Sequence, residues 1–541
     1  MTKKRILIAN DAHYLGTGYG VYGKELLTRL HNTGKYEIAE LCCYAKKEEL
    51  DIKSKALWKT YPVVPSSQDE LNRYKDNVVN AFGAFKFEPS LIDFKPDIVF
   101  DMRDYWMYSY QEMSPLRPFF KWVVMPTVDS APQNSTWLNT FSNFDLTIPY
   151  TEWAKKTLEK QCKGSIKLFD KIANAGVNLE SFVPLYSEDK KKHQKELFGM
   201  DVEITGCVMR NQKRKLFPNV LSSYRKYLDN LLAEGKTEQY NKSFLYLHTT
   251  YPEASGWNFP KLLLEHNMLN KTYFTETCAS CGSTKPTKFH EKATRCKSCN
   301  NLSSILPNAH ICVSSENLVK VYQSFDLFLQ VAICEGFGMP QVEAASCGVP
   351  IASVDYSAMT EIVRNLEGYP IPVKTLFREI ETGADRANPD NEALTNVIYS
   401  YFSMSQEEKN KKQKRTRELC EKYYSWDQVA KVWEEAIDSV DISTNLSWEE
   451  PERDINVGIQ VPNNLSAWEF VSFIVLNIAK EPFLLNTSAV LNMIKDLSNG
   501  YTSSPKGIQK VDRNYVVQIF QNYLSKKKTT EALRTKGITT K

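Results

Sequence analysis

The chain has 541 residues, 42% hydrophobic and 24% charged. That is an ordinary globular balance, and at about 100–200 residues per domain it allows three or four units. Its 68 basic and 64 acidic residues leave a net charge of +4, so no global excess argues for nucleic acid. No run of about 18 apolar residues occurs, which excludes a membrane-spanning helix. The short apolar stretch Ile6 to Ala9 behind a basic start reads as a first strand, not a signal peptide. Of twelve cysteines, eight are scattered, mostly in apolar runs, as reduced core thiols are. A cytoplasmic, reducing setting is expected.

In chain order, short apolar runs predict strands at 5–9, 38–44, 98–101, 122–126, 146–148 and 171–174. A second series falls at 204–209, 244–248, 311–313, 327–331 and 350–354. Helical patterns sit between them, at 22–30, 153–162, 316–323 and 340–347, and 423–437 makes a closing amphipathic helix. This alternation predicts parallel sheets with helices on both faces. The charged stretch SEDKKKHQKE near residue 190 divides two such α/β units, 1–190 and 191–440. A polar, proline-bearing linker is expected over 441–465, a helical extension over 466–525 and a basic tail over 526–541.

The strongest signal is CEGFGMPQVEAASCGVPIAS, residues 334–353. Glu335 and Glu343 flank a turn holding Gly336 and Gly338, with a helix opening near Pro340. A glycine turn lets backbone N–H groups approach a phosphate or sugar, and the helix N-terminus favours an anion. Carboxylates suit sugar and ribose hydroxyls, since each can accept two hydrogen bonds. By itself the pattern is equally an ordinary strand-turn-helix joint. Arg210 and Lys215 lie five apart after the 204–209 strand, where positive charge would stabilise a departing diphosphate or simply be solvated. Gly16, Gly18 and Gly20 form a second glycine loop after the first strand, weak evidence alone.

The block LVKVYQSFDLFLQVAICEGFGMPQVEAASCGVPIAS resembles, position after position, the family 4 glycosyltransferases. GCVMRNQKRKLFPNVLSSYRKY and KIANAGVNLESFVPL resemble further family segments, with Gly176, Val177 and Asn178 in place of a more usual Gly-Val-Asp. The resemblance implies a GT-B fold, two Rossmann-like domains facing a cleft. The 1–190 unit would then be the acceptor side and the 191–440 unit the nucleotide-sugar donor side. It implies that Glu335 binds the transferred sugar and Glu343 the ribose, with the backbone of Phe337 and Gly338 against the sugar-diphosphate. Arg210 and Lys215 would clamp the diphosphate, and Gly16 and Gly18 would lie under the phosphates. Asp129, in MPTVDSAP, falls where a subgroup of the family has a Val-Asp pair. A carboxylate there orients the acceptor hydroxyl, takes its proton, or caps a loop. The family retains anomeric configuration without a catalytic metal, and its donors are UDP- or GDP-linked sugars.

Cys278, Cys281, Cys296 and Cys299 are spaced C-x2-C-x14-C-x2-C. Two such knuckles bring four thiolates to one tetrahedral point, a closed structural zinc site, here a ribbon inserted at 272–303. His290 is a spare ligand but reads as a loop residue. The ribbon's Lys285, Lys288, Lys292, Arg295 and Lys297 are either a solvated surface or a polyanion contact. From Pro505 onward nine basic residues face only Asp512 and Glu531, so the tail admits a similar contact. The acceptor expected is a hydroxyl of a glycan or protein. The alternative is DNA carrying hydroxymethylated bases. A zinc-ribbon nucleic-acid-binding protein without transferase activity would explain the ribbon and tail, but not the two-glutamate block.

Overall fold

The computed structural model describes residues 3–114, 116–308, 311–443 and 448. The expected 466–525 extension and 526–541 tail lie outside them. The first sheet holds β1 (Lys4–Asp11), β2 (Tyr36–Lys46), β3 (Lys59–Val64), β4 (Ile98–Asp101), β5 (Lys121–Val124) and β6 (Leu146–Thr147). All its pairs are parallel, in the order β3-β2-β1-β4-β5-β6. Strands covered on both faces read as unbroken apolar runs, as Ile6 to Ala9 does, with all four side chains fully buried. β3 escapes sequence reading because it is an edge strand carrying Pro62, which an edge tolerates.

The second sheet contains β7 (Glu203–Val208), β8 (Ser243–His248), β9 (Thr272–Cys278), β10 (Thr284–Thr287), β11 (Thr294–Arg295), β12 (Leu302–Ile305), β13 (Leu327–Gln330), β14 (Ile351–Val354) and β15 (Tyr369–Ile371). Its parallel part runs β9-β8-β7-β13-β14-β15. β10 and β12 pair antiparallel with β9, and β11 with β12. The cysteine insertion is therefore continuous with the sheet: residues 272–274 pair with β8, and the same strand ends at Cys278. A separate hairpin, β16 (Val373–Arg378) with β17 (Asp385–Pro389), follows.

Two predicted strands do not form. Residues 171–174 pass beside the first sheet with one backbone bond, Ala173 N to Pro149 O at 3.0 Å, and residues 311–313 carry no ladder. In the second case β12 turns back on β9 and the chain goes directly to helix Ser315–Gln323. The charged SEDKKKHQKE stretch is helix Ser187–Phe198, packed on the second half. Gln194 donates to Ser324 O at 2.9 Å, and buried Lys190 donates to Phe325 O and pairs with Asp326. Its packed face is polar, so hydrophobic patterning reads it as a boundary.

The closing helix, Trp426–Ser439, packs on the first sheet, across the chain from the second. Trp433 is fully buried, 5.0 Å from the Phe100 ring, and its Nε1 donates to Tyr22 Oη at 2.8 Å. Lys4 Nζ reaches the carbonyls of Ile437 and Val440 at 2.9 and 3.0 Å, meeting groups a helix C-terminus leaves unpaired. A Cβ on Gly176 would lie 2.4 Å from Trp426 N, so glycine is required where the chain crosses back. Asn178 Oδ1 accepts the Glu180 and Ser181 amides at 3.1 and 3.0 Å. Such capping needs only a side-chain oxygen, which accounts for Asn in place of Asp. Beyond the helix, in the expected linker, Trp448 is buried and stacked on Phe119 at 4.7 Å.

Candidate functional site

Loops at the C-terminal ends of β1, β4 and β5 meet those following β7 and β13, the edge where α/β sheets bind ligands. Residues 214–216 run beside 331–333, with Leu216 N on Val331 O and Ile333 N on Arg214 O, both at 3.0 Å. This pairing brings Lys215 Nζ onto Glu335 Oε1. Arg214 Nη1 reaches Glu335 Oε2 at 3.0 Å, and Gln330 Nε2 reaches Oε1 at 2.6 Å. Glu335 is only 4% exposed. Lys215 is buried with Glu335, whose carboxylate is the counter-charge on its Nζ. Ser357 Oγ accepts the Glu335 amide at 3.0 Å. Ser357 itself sits at φ 53°, ψ −144°, a strained backbone for a non-glycine residue.

Gly338 opens helix Met339–Ser346 at φ +94°, where a Cβ would lie 2.5 Å from Gln341 Nε2. The Phe337 side chain is buried, stacked on Tyr150 at 5.3 Å, leaving only its backbone for a ligand. A Cβ on Gly336 would lie 2.5 Å from Thr127 Cγ2, and one on Gly18 would lie 3.8 Å from Met339 Sδ. The two glycine turns thus face each other across the seam. Gly16 has no neighbour within 4 Å of such a Cβ. His13, before this loop, is held to Glu40 by its amide at 2.9 Å and Nδ1 at 2.7 Å. Glu343 accepts from Tyr322 Oη at 2.6 Å on Oε2, and among the described residues Oε1 takes no hydrogen bond. Burial raises its carboxyl above the ordinary range, opposed by the Tyr322 bond.

Arg210 does not join this cluster: its Nε donates to Glu253 at 3.1 Å and its side chain is 56% exposed. Asp129 is held by Ser130 Oγ at 2.8 Å, by Cys334 Sγ at 3.2 Å and, from β17 of the other half, by Arg386 Nη1 at 3.1 Å. Asp104 follows β4, and burial and then the charge of Asp129 push its carboxyl up to about 7. Asp104, Arg214, Gln330, Ser357 and Arg386 were missed in the sequence. Only Arg214, within the QKRK run, carried a local signal; the rest converge through the fold.

Cys278, Cys281, Cys296 and Cys299 offer sulfurs all within 4.8 Å of one another. Cys278 and Cys299 sulfurs are 3.6 Å apart, and Cys281 and Cys296 sulfurs 3.7 Å. Zinc–sulfur bonds of about 2.3 Å at tetrahedral angles require sulfurs about 3.8 Å apart, so the donor set fits zinc. Each knuckle closes alike: Gly282 N returns to Cys278 O at 2.8 Å and Asn300 N to Cys296 O at 2.9 Å, both residues left-handed. His290 is engaged elsewhere, by Glu276 at 2.9 Å. Lys285 pairs with Glu276 at 3.1 Å, and Lys288 lies 3.5 Å over the Tyr273 ring. Arg295 donates to Asn300 O at 2.9 Å. Lys292 and Lys297 are exposed.

Among the described residues no helix is long and apolar enough to cross a membrane. Residues 308–415 match the family model of glycosyl transferases group 1. The GtfA subunit of a UDP-N-acetylglucosamine–peptide N-acetylglucosaminyltransferase from Streptococcus agalactiae is 40% identical over 62 residues. That alignment spans 11% of this chain and only 12% of the relative's length. Sucrose-phosphate synthase from Thermosynechococcus elongatus superposes with a TM-score of 0.57 at 14% identity, covering 81% of this chain and 98% of that one. A glycosyltransferase from Rickettsia africae gives 0.54 at 14% identity, over 81% and 99%. Anabaena HepE, solved with UDP and glucose, gives 0.52 at 12%, over 81% and 100%. The chain thus has the α/β, GT-B-like fold of these glycosyltransferases, and within residues 308–415 it is similar to group 1 glycosyl transferases.

Proposed function

We propose that this chain is a retaining glycosyltransferase that moves a sugar from a UDP- or GDP-linked donor to a hydroxyl of a glycan or protein. The observation that carries the reading is the buried Glu335, clamped by Lys215 and Arg214 on one side of a glycine turn, with the half-satisfied Glu343 on the other. Anabaena HepE, solved with UDP and glucose, favours UDP. Glu335 would bind the sugar hydroxyls and Glu343 the ribose. Lys215, Arg214 and, swung in from Glu253, Arg210 would meet the diphosphate where charge grows as the anomeric C–O bond breaks. The acceptor oxygen would bond the same carbon from the leaving-group face, its proton passing to the departing phosphate oxygen, with no catalytic metal. Cys278, Cys281, Cys296 and Cys299 would hold a zinc ion that stiffens the ribbon.

The test is incubation of the full chain with UDP- and GDP-sugars and three acceptor arms: oligosaccharides, protein, and hydroxymethylated DNA. Nucleotide release with a product of the donor's anomeric configuration is expected. An inverted product refutes the retaining reading, transfer to DNA alone refutes the glycan or protein acceptor, and no nucleotide release from any donor refutes the function.

A further inference from the structure

We propose that Arg386 is a positioning residue for transfer, tying the loop of Asp129 in the first half to the turn that carries Glu335 in the second; this rests on the transferase reading above. Asp385 N donates to Ala131 O and Ala387 N to Ile333 O, both at 2.9 Å. Amides two apart on a strand face one edge. Residues 129–131 and 331–333 therefore line up end to end along the edge of β17 that β16 leaves open. Ile333 stands two residues before Glu335, and its own amide is on Arg214 O at 3.0 Å.

The side chain between these two amides closes the joint. Arg386 is buried. Its Nε and Nη2 donate to Glu379 Oε2 at 2.9 and 2.6 Å within the same hairpin, so its own half already orients the planar guanidinium. Nη1 is left to reach Asp129 Oδ1 at 3.1 Å and Cys334 Sγ at 2.8 Å. The Cys334 thiol donates to Asp129 Oδ2 at 3.2 Å. Both partners of the ion pair thus touch the residue next to Glu335. Parting the halves would leave Arg386 on Glu379 and Asp129 on Ser130 Oγ at 2.8 Å. No buried charge is then stranded, which is what a contact that opens and re-forms requires.

An acceptor held by the first half must meet a sugar held at Glu335, and a misplacement of about 1 Å there can cost about a hundredfold in rate. Glu335, Glu343, Lys215 and Arg214 all belong to the second half. Breaking the bridge therefore disturbs alignment far more than it disturbs the holding of nucleotide. Asp129, with both oxygens engaged, acts in this account through Arg386 and not on the acceptor hydroxyl.

The experiment uses the full chain as wild type, Arg386→Ala, Asp129→Asn and the double variant. It reads UDP and GDP affinity by calorimetry, hydrolysis of UDP-glucose and of a GDP-linked sugar with water as acceptor, and the radius of gyration of the free protein by X-ray scattering. Each single variant should lose about tenfold or more in kcat, lose far less in nucleotide affinity, and scatter as a more open particle. Because the two residues form one contact, the double variant should be no slower than the slower single one. A wild-type kcat in Arg386→Ala overturns the proposal. So does a double variant whose loss is the product of the two single losses, since the residues would then act separately. Should Arg386→Ala not fold, Asp129→Asn decides by the same readouts, and wild-type scattering and kcat in it overturn the bridge. A wild type that binds neither nucleotide and hydrolyses neither donor refutes the transferase reading, while the scattering of the variants still tests the bridge.

Discussion

Gly336→Ala probes the seam directly, because the obstacle its methyl meets belongs to the other half of the molecule. The added Cβ would lie 2.5 Å from Thr127 Cγ2, with the next atom, Thr127 Cβ, at 3.9 Å. Two carbons normally rest about 3.5–4.0 Å apart, so the halves must separate by roughly 1 Å or the turn must distort. Overpacking on this scale costs about 1–3 kcal/mol, or roughly five- to 160-fold in the population of the closed seam. The cost can be relieved by opening, so the variant should keep its thermal unfolding midpoint and lose kcat/KM for UDP-glucose turnover by that factor. Thr127→Ser removes the offending methyl and keeps the hydroxyl that meets Tyr19 at 3.0 Å, so Gly336→Ala/Thr127→Ser should recover most of the rate. Wild-type turnover in Gly336→Ala, or no recovery in the double variant, would show that the seam does not close as described.

Elemental analysis of protein purified without added metal should find one zinc per chain, and Cys278→Ser should lose the zinc together with the melting midpoint. A variant free of metal but equally stable would contradict a structural ion. Trp433→Ala should cost about 3–5 kcal/mol in urea unfolding, as truncating a fully buried aromatic does, and it also removes the donor to the Tyr22 hydroxyl, which keeps its own bond to Ala173 O. A loss below about 1 kcal/mol would place the closing helix elsewhere.

Elements written as local pattern were legible in the sequence: the apolar strands, the glycine turn with its two glutamates, and the paired cysteine knuckles. Each is specified by neighbours within about twenty residues. What was not legible depends on convergence. Arg210 fits the five-residue spacing, yet Glu253 takes it and Arg214 stands at Glu335, because the pairing of 214–216 with 331–333 decides which basic residue faces inward. Asp129 was visible as a loop carboxylate, but its partner Arg386 lies 257 residues on. Helix Ser187–Phe198 was read as a boundary since Lys190 and Gln194, its buried residues, are polar. Polar side chains satisfied by distant carbonyls carry no periodic signal.

The central claim is that a nucleotide-sugar sits across the glycine turn with its ribose on Glu343. Calorimetric titration of UDP-glucose and of a GDP-linked sugar into wild-type protein and Glu343→Ala tests it most directly. The site predicts saturable one-to-one binding of one of the two donors to the wild type. It predicts affinity at least about tenfold weaker in Glu343→Ala, the loss of roughly 1.5–3 kcal/mol expected for a charged hydrogen-bond acceptor. Equal affinity in both proteins would contradict it.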